Sequence, residues 1–226
     1  MMYTRYSGTG KYEQNAKQGK SRIDGVVIFP GGSFDELSIN GVCTSEGPIE
    51  ANLIDIDGVF TASSDIRADS IDFDGVVTIH GNLRVKKADV DGVVTVRGVK
   101  VEADYIKCDG ILTAESQVSA DVIEAEGFIN AREIVGDRIT IRSFRKAGLF
   151  KFVMKVREAF TDKDFSRVDL IEATRIELRG VRAKTVSGQD IIIGPACIID
   201  RVDCTGTLSV DPDATVREII GVVPNQ

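Results

Sequence analysis

The stretch Ile54–Val96, IDIDGVFTASSDIRADSIDFDGVVTIHGNLRVKKADVDGVVTV, contains the same short pattern three times. In each copy an aspartate precedes a glycine, and apolar residues alternate with polar ones on both sides. The step recurs along the chain as Asp24-Gly25, Asn40-Gly41, Asp57-Gly58, Asp74-Gly75, Asp91-Gly92, Asp109-Gly110 and Glu126-Gly127, at Gly-to-Gly spacings of 16, 17, 17, 17, 18 and 17. A fixed period of this length predicts a stack of identical structural units.

Alignment on the glycine shows three pairs of apolar columns per repeat. Members of a pair are two residues apart, which places them on one face of a β-strand. The columns lie four and two residues before the glycine, two and four after it, and eight and ten after it. The column two after the glycine is Val27, Cys43, Phe60, Val77, Val94, Leu112 and Ile129, and the column eight after it is Ile49, Ile66, Leu83, Val118 and Val135. Three pairs per repeat predict a three-sided β-helix with coils of about 17 residues.

Two other columns of the repeat carry polar residues. Each glycine is expected to supply a corner conformation that other residues resist. The acidic residues before the glycines are interpreted as solvated corner residues, with a cation-binding ladder as the alternative. The outward threonines, typical of exposed β positions, are Thr44, Thr61, Thr78, Thr95 and Thr113.

The pattern stops after Ile141 and resumes near residue 166. Between them an amphipathic helix is predicted, because apolar residues lie at i, i+3, i+4, i+7 and i+11. This face comprises Leu149, Phe152, Val153, Val156 and Phe160, with Lys146 and Lys155 among the basic residues beside it. The helix is expected to pack on the solenoid or cap its end, or to bind a membrane surface or partner. The predicted organisation is a flexible polar and basic tail (1–20), a first stack (21–141), the helical insertion (142–165), a second stack that continues the first or is separate (166–221), and a C-terminal tail (222–226).

Composition restricts the chemistry. The formal net charge of −7 argues against general nucleic-acid binding. The one histidine, His80, is expected at a solvated corner. The four cysteines, Cys43, Cys108, Cys197 and Cys204, all fall in inward columns and are interpreted as small hydrophobic residues, not as a zinc site. No catalytic residue, cofactor or metal ligand is therefore predicted. No apolar stretch is long enough to span a membrane. The N-terminus has no apolar region typical of a secretory signal and the cysteines are expected to be free thiols, so a cytoplasmic protein is expected, with peripheral attachment at the inner face of the membrane as an option.

The repeated steps IDIDGVFTA, IDFDGVVTI, VDGVVTV and CDGILTA, with the flanking pieces RADSI, KKADV and SADVI, resemble those of the bactofilins, the polymer-forming cytoskeletal proteins of bacteria. The resemblance covers residues 20–141 and is looser after 166. It implies a right-handed, three-sided β-helix that assembles end to end into filaments without nucleotide. It also implies a scaffold for envelope growth, cell shape or motility.

The leading hypothesis is a non-enzymatic scaffold that binds further copies of itself through the solenoid ends, where strand edges are unpaired. The candidate assembly residues are Val27, Phe29 and Phe34 at one end and Ile219, Ile220 and Val222 at the other. The candidates for membrane or partner binding are Lys146, Leu149, Phe152, Lys155 and Phe160. Two alternatives are an enzyme resembling β-helix acyltransferases and a surface-binding module, such as an ice binder, that would use the threonine ladder.

Overall fold

The computed structural model describes residues 3–11, 18–143 and 165–221, and every helix-or-strand element in these ranges is a β-strand. Between Gly32 and Ala125, strands of four residues alternate with strands of eight or nine. The strands are β1 (Tyr3–Lys11), β2 (Gln18–Phe29), β3 (Gly32–Ile39), β4 (Val42–Ser45), β5 (Ile49–Ile56), β6 (Val59–Ala62), β7 (Ile66–Phe73), β8 (Val76–Ile79), β9 (Leu83–Val90), β10 (Val93–Val96), β11 (Lys100–Cys108), β12 (Ile111–Ala114), β13 (Gln117–Ala125), β14 (Phe128–Arg142), β15 (Ser166–Arg179), β16 (Val181–Ile193), β17 (Ile198–Cys204), β18 (Leu208–Val210) and β19 (Thr215–Gly221).

The strands form a parallel β-solenoid of about 11 turns in the described ranges. Apart from the strands at the two ends, each strand pairs with the equivalent strand one turn earlier and one turn later. Phe60 in β6, for example, aligns with Val77 in β8, which aligns with Val94 in β10. Equivalent residues of successive turns therefore form straight rows along the solenoid, as the repeat predicted.

The apolar columns form one continuous core, which confirms their predicted inward orientation. Phe60, Val77 and Val94 are each at most 1% exposed. All four cysteines are buried, including Cys108 and Cys197, and burial raises the pKa of the Cys108 thiol to about 12. Ala68 and Ala131 are only partly buried but pack against the same core.

One residue of the predicted core was placed incorrectly. Val135 is only half-buried, and Ile134 takes the inward place because it aligns with Val118. The turn is one residue shorter at this point than the alignment assumed. Gly136 then aligns with Ala120, so a residue without a side chain stands in a column of small residues.

The two stacks are joined by an uninterrupted ladder. Strand β14 pairs with β15, so that Ile134 aligns with Ile171 and Ile139 with Ile176. The hydroxyls of Ser143 and Ser166 are 2.7 Å apart. The residues on either side of 144–164 are therefore close together, and that segment, which contains most of the predicted helical insertion, lies outside the described residues.

The N-terminal segment differs from the prediction of a flexible tail. Residues Tyr3–Lys11 form β1, which pairs in parallel with β2 from Lys20 to Ile28. The Arg5 guanidinium is 2.9 Å from a carboxylate oxygen of Asp24. The first repeat therefore has a strand before it, although β1 lacks an aspartate–glycine step.

The glycine column is required by the close approach of successive turns. The amide of Val76 donates a hydrogen bond of 2.9 Å to the carbonyl of Gly58. The same oxygen would lie 1.9 Å from a Cβ added at Gly75. The described glycines with positive φ are Gly8, Gly31, Gly32, Gly180 and Gly221, none of which belongs to the repeated step. The expected reason for these glycines, a special corner conformation, is therefore wrong, because the limit is space between turns.

We expect Gly75→Ala to destabilise the solenoid by about 1–3 kcal/mol or more, since a Cβ can be accommodated only if two turns separate. Chemical denaturation followed by circular dichroism measures the change. Gly10→Ala is the matched control, because a Cβ there meets nothing within 4 Å. Equal stability of the two variants would contradict the steric explanation.

The inward columns can be tested with neighbouring residues of one strand. Phe60 is 1% exposed and Val59 is 47% exposed. Phe60→Asp would bury a carboxylate without a partner, so we expect a loss of several kcal/mol in the free energy of unfolding. Val59→Asp should change it by much less. A similar loss in both variants would rule out the predicted orientation of the strand.

Candidate functional site: the solenoid ends and two outer faces

The C-terminal end of the solenoid exposes its own core column. Ile219 of β19 aligns with Val202, which is fully buried and aligns in turn with Val186. Ile219 is 40% exposed because no described strand covers β19 on its other side, and the neighbouring Ile220 is 41% exposed. These two predicted assembly residues therefore lie at an open end. The third, Val222, lies outside the described residues.

At the N-terminal end the predicted assembly residues are core residues. Val27, Phe29 and Phe34 are 1%, 5% and 7% exposed. The rings of Phe29 and Phe34 meet edge to face with centroids 6.2 Å apart. The prediction that these three residues form an exposed end is wrong, because β1 and the start of β2 supply the strands that precede them. The residues of β1 with described side chains are exposed and polar, apart from glycines: Arg5, Ser7, Thr9 and Lys11.

A face without charge runs along the short strands; its threonine row is the predicted threonine ladder, whereas the apolar row beside it was not predicted as functional. It consists of the outward residues of β4, β6, β8, β10 and β12 and of the end of β2, and we call it the valine–threonine face. One row is Val26, Val42, Val59, Val76, Val93 and Ile111, and the other is Ile28, Thr44, Thr61, Thr78, Thr95 and Thr113. Val26, Val42, Val59 and Val76 are each about half exposed, between 46% and 52%. The face ends at the next turn, where Phe128 is buried and is followed by Asn130.

A second outer face concentrates carboxylates. Three successive turns place an aspartate in each of two rows, and we call these six residues the aspartate grid: Asp55, Asp57, Asp72, Asp74, Asp89 and Asp91. Cations stand at both borders of the grid. Arg22 binds Asp24 at 2.8 Å, and Lys107 lies 3.3 Å from Asp89 and 3.1 Å from Asp109.

The pKa is raised at three members of the grid. Partial burial, followed by repulsion from neighbouring carboxylates, raises the pKa of Asp55 and Asp72. Burial also raises the pKa of Asp91, although Lys107 opposes it. At the border, the hydrogen bond from Arg22 lowers the pKa of Asp24. Ionised aspartates in the middle of the grid are therefore disfavoured by the folded state.

The remaining candidate sites are a metal site, the histidine and the membrane-binding residues. In the described part of the chain, no group of three or more His, Cys, Asp or Glu side chains is placed to hold a metal ion. His80 is exposed after β8, as predicted. None of the described elements is a helix with the length and apolarity to cross a membrane. The predicted membrane or partner residues Lys146, Leu149, Phe152, Lys155 and Phe160 all lie outside the described ranges.

Comparison with known proteins finds short stretches of similarity. No family model matches the chain, and no solved structure matches it. It is 47% identical over 49 residues to the uncharacterized protein YhbE of Bacillus subtilis strain 168, which covers 22% of this chain and 21% of that protein. It is 28% identical over 95 residues to the uncharacterized protein YhbF of the same strain, covering 41% of this chain and 40% of that protein. The matches thus span about a fifth and two fifths of these relatives.

The aspartate grid should make stability depend on pH. A carboxyl whose pKa is higher in the folded than in the unfolded state destabilises the fold above that pKa, and the penalty is relieved as the pH falls through it. We therefore expect Asp72→Asn to raise the free energy of unfolding at pH 7 by a few tenths to about 1 kcal/mol, since the site is largely solvated. The advantage should shrink as the pH is lowered to about 4, near the usual pKa of an aspartate.

The measurement is urea denaturation at several pH values. Glu172→Gln is the control for a general loss of negative charge, because Glu172 is exposed and aligns with Val135 and Ser187, both uncharged. An effect of Asp72→Asn that is no larger than the control, or that grows on acidification, would show that repulsion within the grid is negligible.

Proposed function

We propose that this chain is a non-enzymatic bacterial scaffold that binds copies of itself end to end, in the manner implied by its resemblance to the bactofilins. Assemblies of this kind would localise proteins of envelope growth, cell shape or motility. The observation that carries the proposal is the open core column at the C-terminal end, where Ile219 is 40% exposed although its counterparts one and two turns earlier are fully buried.

The backbone at this end supports the same conclusion. Strand β19 pairs with β17 on one side. Its other edge carries amide and carbonyl groups in the direction of the solenoid axis, and an exposed strand edge is a template for pairing with another chain. A strand from a second copy placed there would satisfy these groups and cover Ile219 and the half-buried Val216 together.

The opposite end offers a second edge of the same kind. The outer edge of β1 has no partner among the described strands, and its described side chains are small or polar. An assembly that joins unlike ends extends into a filament, whereas one that joins like ends through a single type of contact closes as a dimer. The C-terminal edge alone is enough for a closed dimer, whereas a filament uses both edges.

We also propose a three-sided cross-section. In each regular turn the short strand supplies one pair of inward residues and the long strand supplies two. In β5 the inward residues are Ile49 and Ala51, then Ile54 and Ile56, and two successive exposed residues, Asn52 and Leu53, separate the pairs. Two outward residues in succession break the alternation of a strand, which supports a corner at that point.

The proposed location is the cytoplasm, with attachment at the inner face of the membrane through the segment 142–165. Its support is the predicted amphipathic helix, in which Leu149, Phe152 and Phe160 form an apolar face beside Lys146 and Lys155. Basic residues beside an apolar face suit the anionic surface of a bilayer.

End-to-end assembly is tested by placing a charge at the open end. We expect the parent protein to form elongated particles in negative-stain electron microscopy and to scatter light increasingly with concentration. Ile219→Arg should reduce it to single solenoids, because pairing of the edge would bury an unpaired guanidinium. Leu53→Arg should assemble like the parent, since Leu53 is 40% exposed in β5, which is paired with a strand on each edge.

Circular dichroism should give the same spectrum for all three proteins. A parent protein that remains a single species over a wide range of concentration and salt would refute end-to-end assembly. If Ile219→Arg still forms elongated particles, the C-terminal end is not part of the contact between copies.

A further inference from the structure

The valine–threonine face is unusual among the outer surfaces of the solenoid because its twelve positions contain no charged side chain. The other outward rows carry ion pairs such as Lys86 with Asp69 and Arg84 with Glu102. In a chain with a net charge of −7, two copies that approach through most surfaces bring carboxylates together. The valine–threonine face is where a copy can approach without desolvating a charge.

We propose that this face binds the same face of a second copy, so that assembled solenoids associate side by side. The inference rests on the proposed end-to-end assembly, because only joined copies would bind strongly through this face. The residues in contact are nevertheless separate from those at the ends. Four valines in one row are about half exposed, and burial of such side chains between two sheets is favourable.

The geometry suits a like partner. The six strands are in register without a slip, so valines and threonines form two straight rows. Both copies have the same strand spacing of about 4.8 Å. The valine row of one copy therefore matches the groove between the two rows of the other along the whole face, as in sheets that pack face to face.

The face of one copy is too small to hold two single copies together. Six strands about 4.8 Å apart extend about 24 Å, and three residues of a strand extend about 10 Å. The face therefore offers about 240 Å² per copy, whereas a stable interface uses about 800 Å² per partner. Two single copies would bind weakly, but copies joined end to end present several faces at once, and the contacts reinforce one another.

Electron microscopy of assembled protein tests the proposal directly. We expect the parent to form paired or bundled solenoids, and the double variant Val59→Lys with Val76→Lys to form solenoids of the same length but about half the width or less. Ile192→Lys is the matched control, because it adds a lysine at an equally exposed apolar residue on another side. Bundles of unchanged width in the double variant would overturn the proposal.

A cross-linking experiment separates this proposal from the proposed function. All four native cysteines are buried, so a cysteine introduced at the surface is the one accessible thiol. Val42→Cys, Val59→Cys and Val76→Cys are each prepared in the end-blocked Ile219→Arg background, then oxidised singly and in mixed pairs. A disulfide requires Cα atoms within about 7 Å, so it reports faces in contact.

We expect at least one of these combinations to form intermolecular disulfides several-fold faster than Arg84→Cys, which places the thiol on a charged side. Fast cross-linking without elongated particles of the parent would support the face contact and refute end-to-end assembly. Elongated particles without faster cross-linking, and with a width unaffected by the two lysines, would refute the face contact alone.

Discussion

The close stacking of backbone turns at the aspartate–glycine step is the constraint on which the rest of the structure depends. The carbonyl of each glycine accepts a hydrogen bond from the residue after the next glycine, as Gly58 does from Val76. This bond holds the carbonyl oxygen at the place that the Cβ atom of the next turn would occupy. Seven turns in succession have a glycine at that position. Because the turns cannot slip past this column, the strands on either side of it keep their register from turn to turn, as the pairs Asp55–Asp72 and Val59–Val76 do.

In a regular stack, a residue type that recurs at one position of the repeat forms an extended row on the surface. An aspartate repeated in two rows becomes the grid around Asp72, where partial burial and mutual repulsion raise the pKa. A valine repeated after the glycine becomes half of a face without charge. The inward columns are shielded along their whole length and meet solvent at an end, as Ile219 does. The surfaces capable of association are thus consequences of the period itself.

The core could be predicted from the sequence because its information is local: inward residues alternate within a strand and recur with the glycine. Val135 was misplaced because the turn is one residue shorter there. No glycine step marks the change, since the nearby Gly136 lies in an inward row instead. Strand β1 was missed because Tyr3–Lys11 carries neither the acidic–glycine step nor a pair of apolar columns. The threonine row could be identified from the sequence, but the valine row beside it became evident only when the strands were aligned in space, because valine is an ordinary strand residue.

The free energies of the two proposed contacts depend differently on the number of copies in an assembly, and this difference determines which contact forms first. An end contact joins one strand edge and the residues around Ile219, so its free energy is the same for every added copy. A side contact buries about 240 Å² per copy and is too small to hold two monomers, but its total grows with the number of copies already joined. Side-by-side association is therefore expected after end-to-end growth, because a long assembly pays the orientational cost of pairing once while it gains one face per copy.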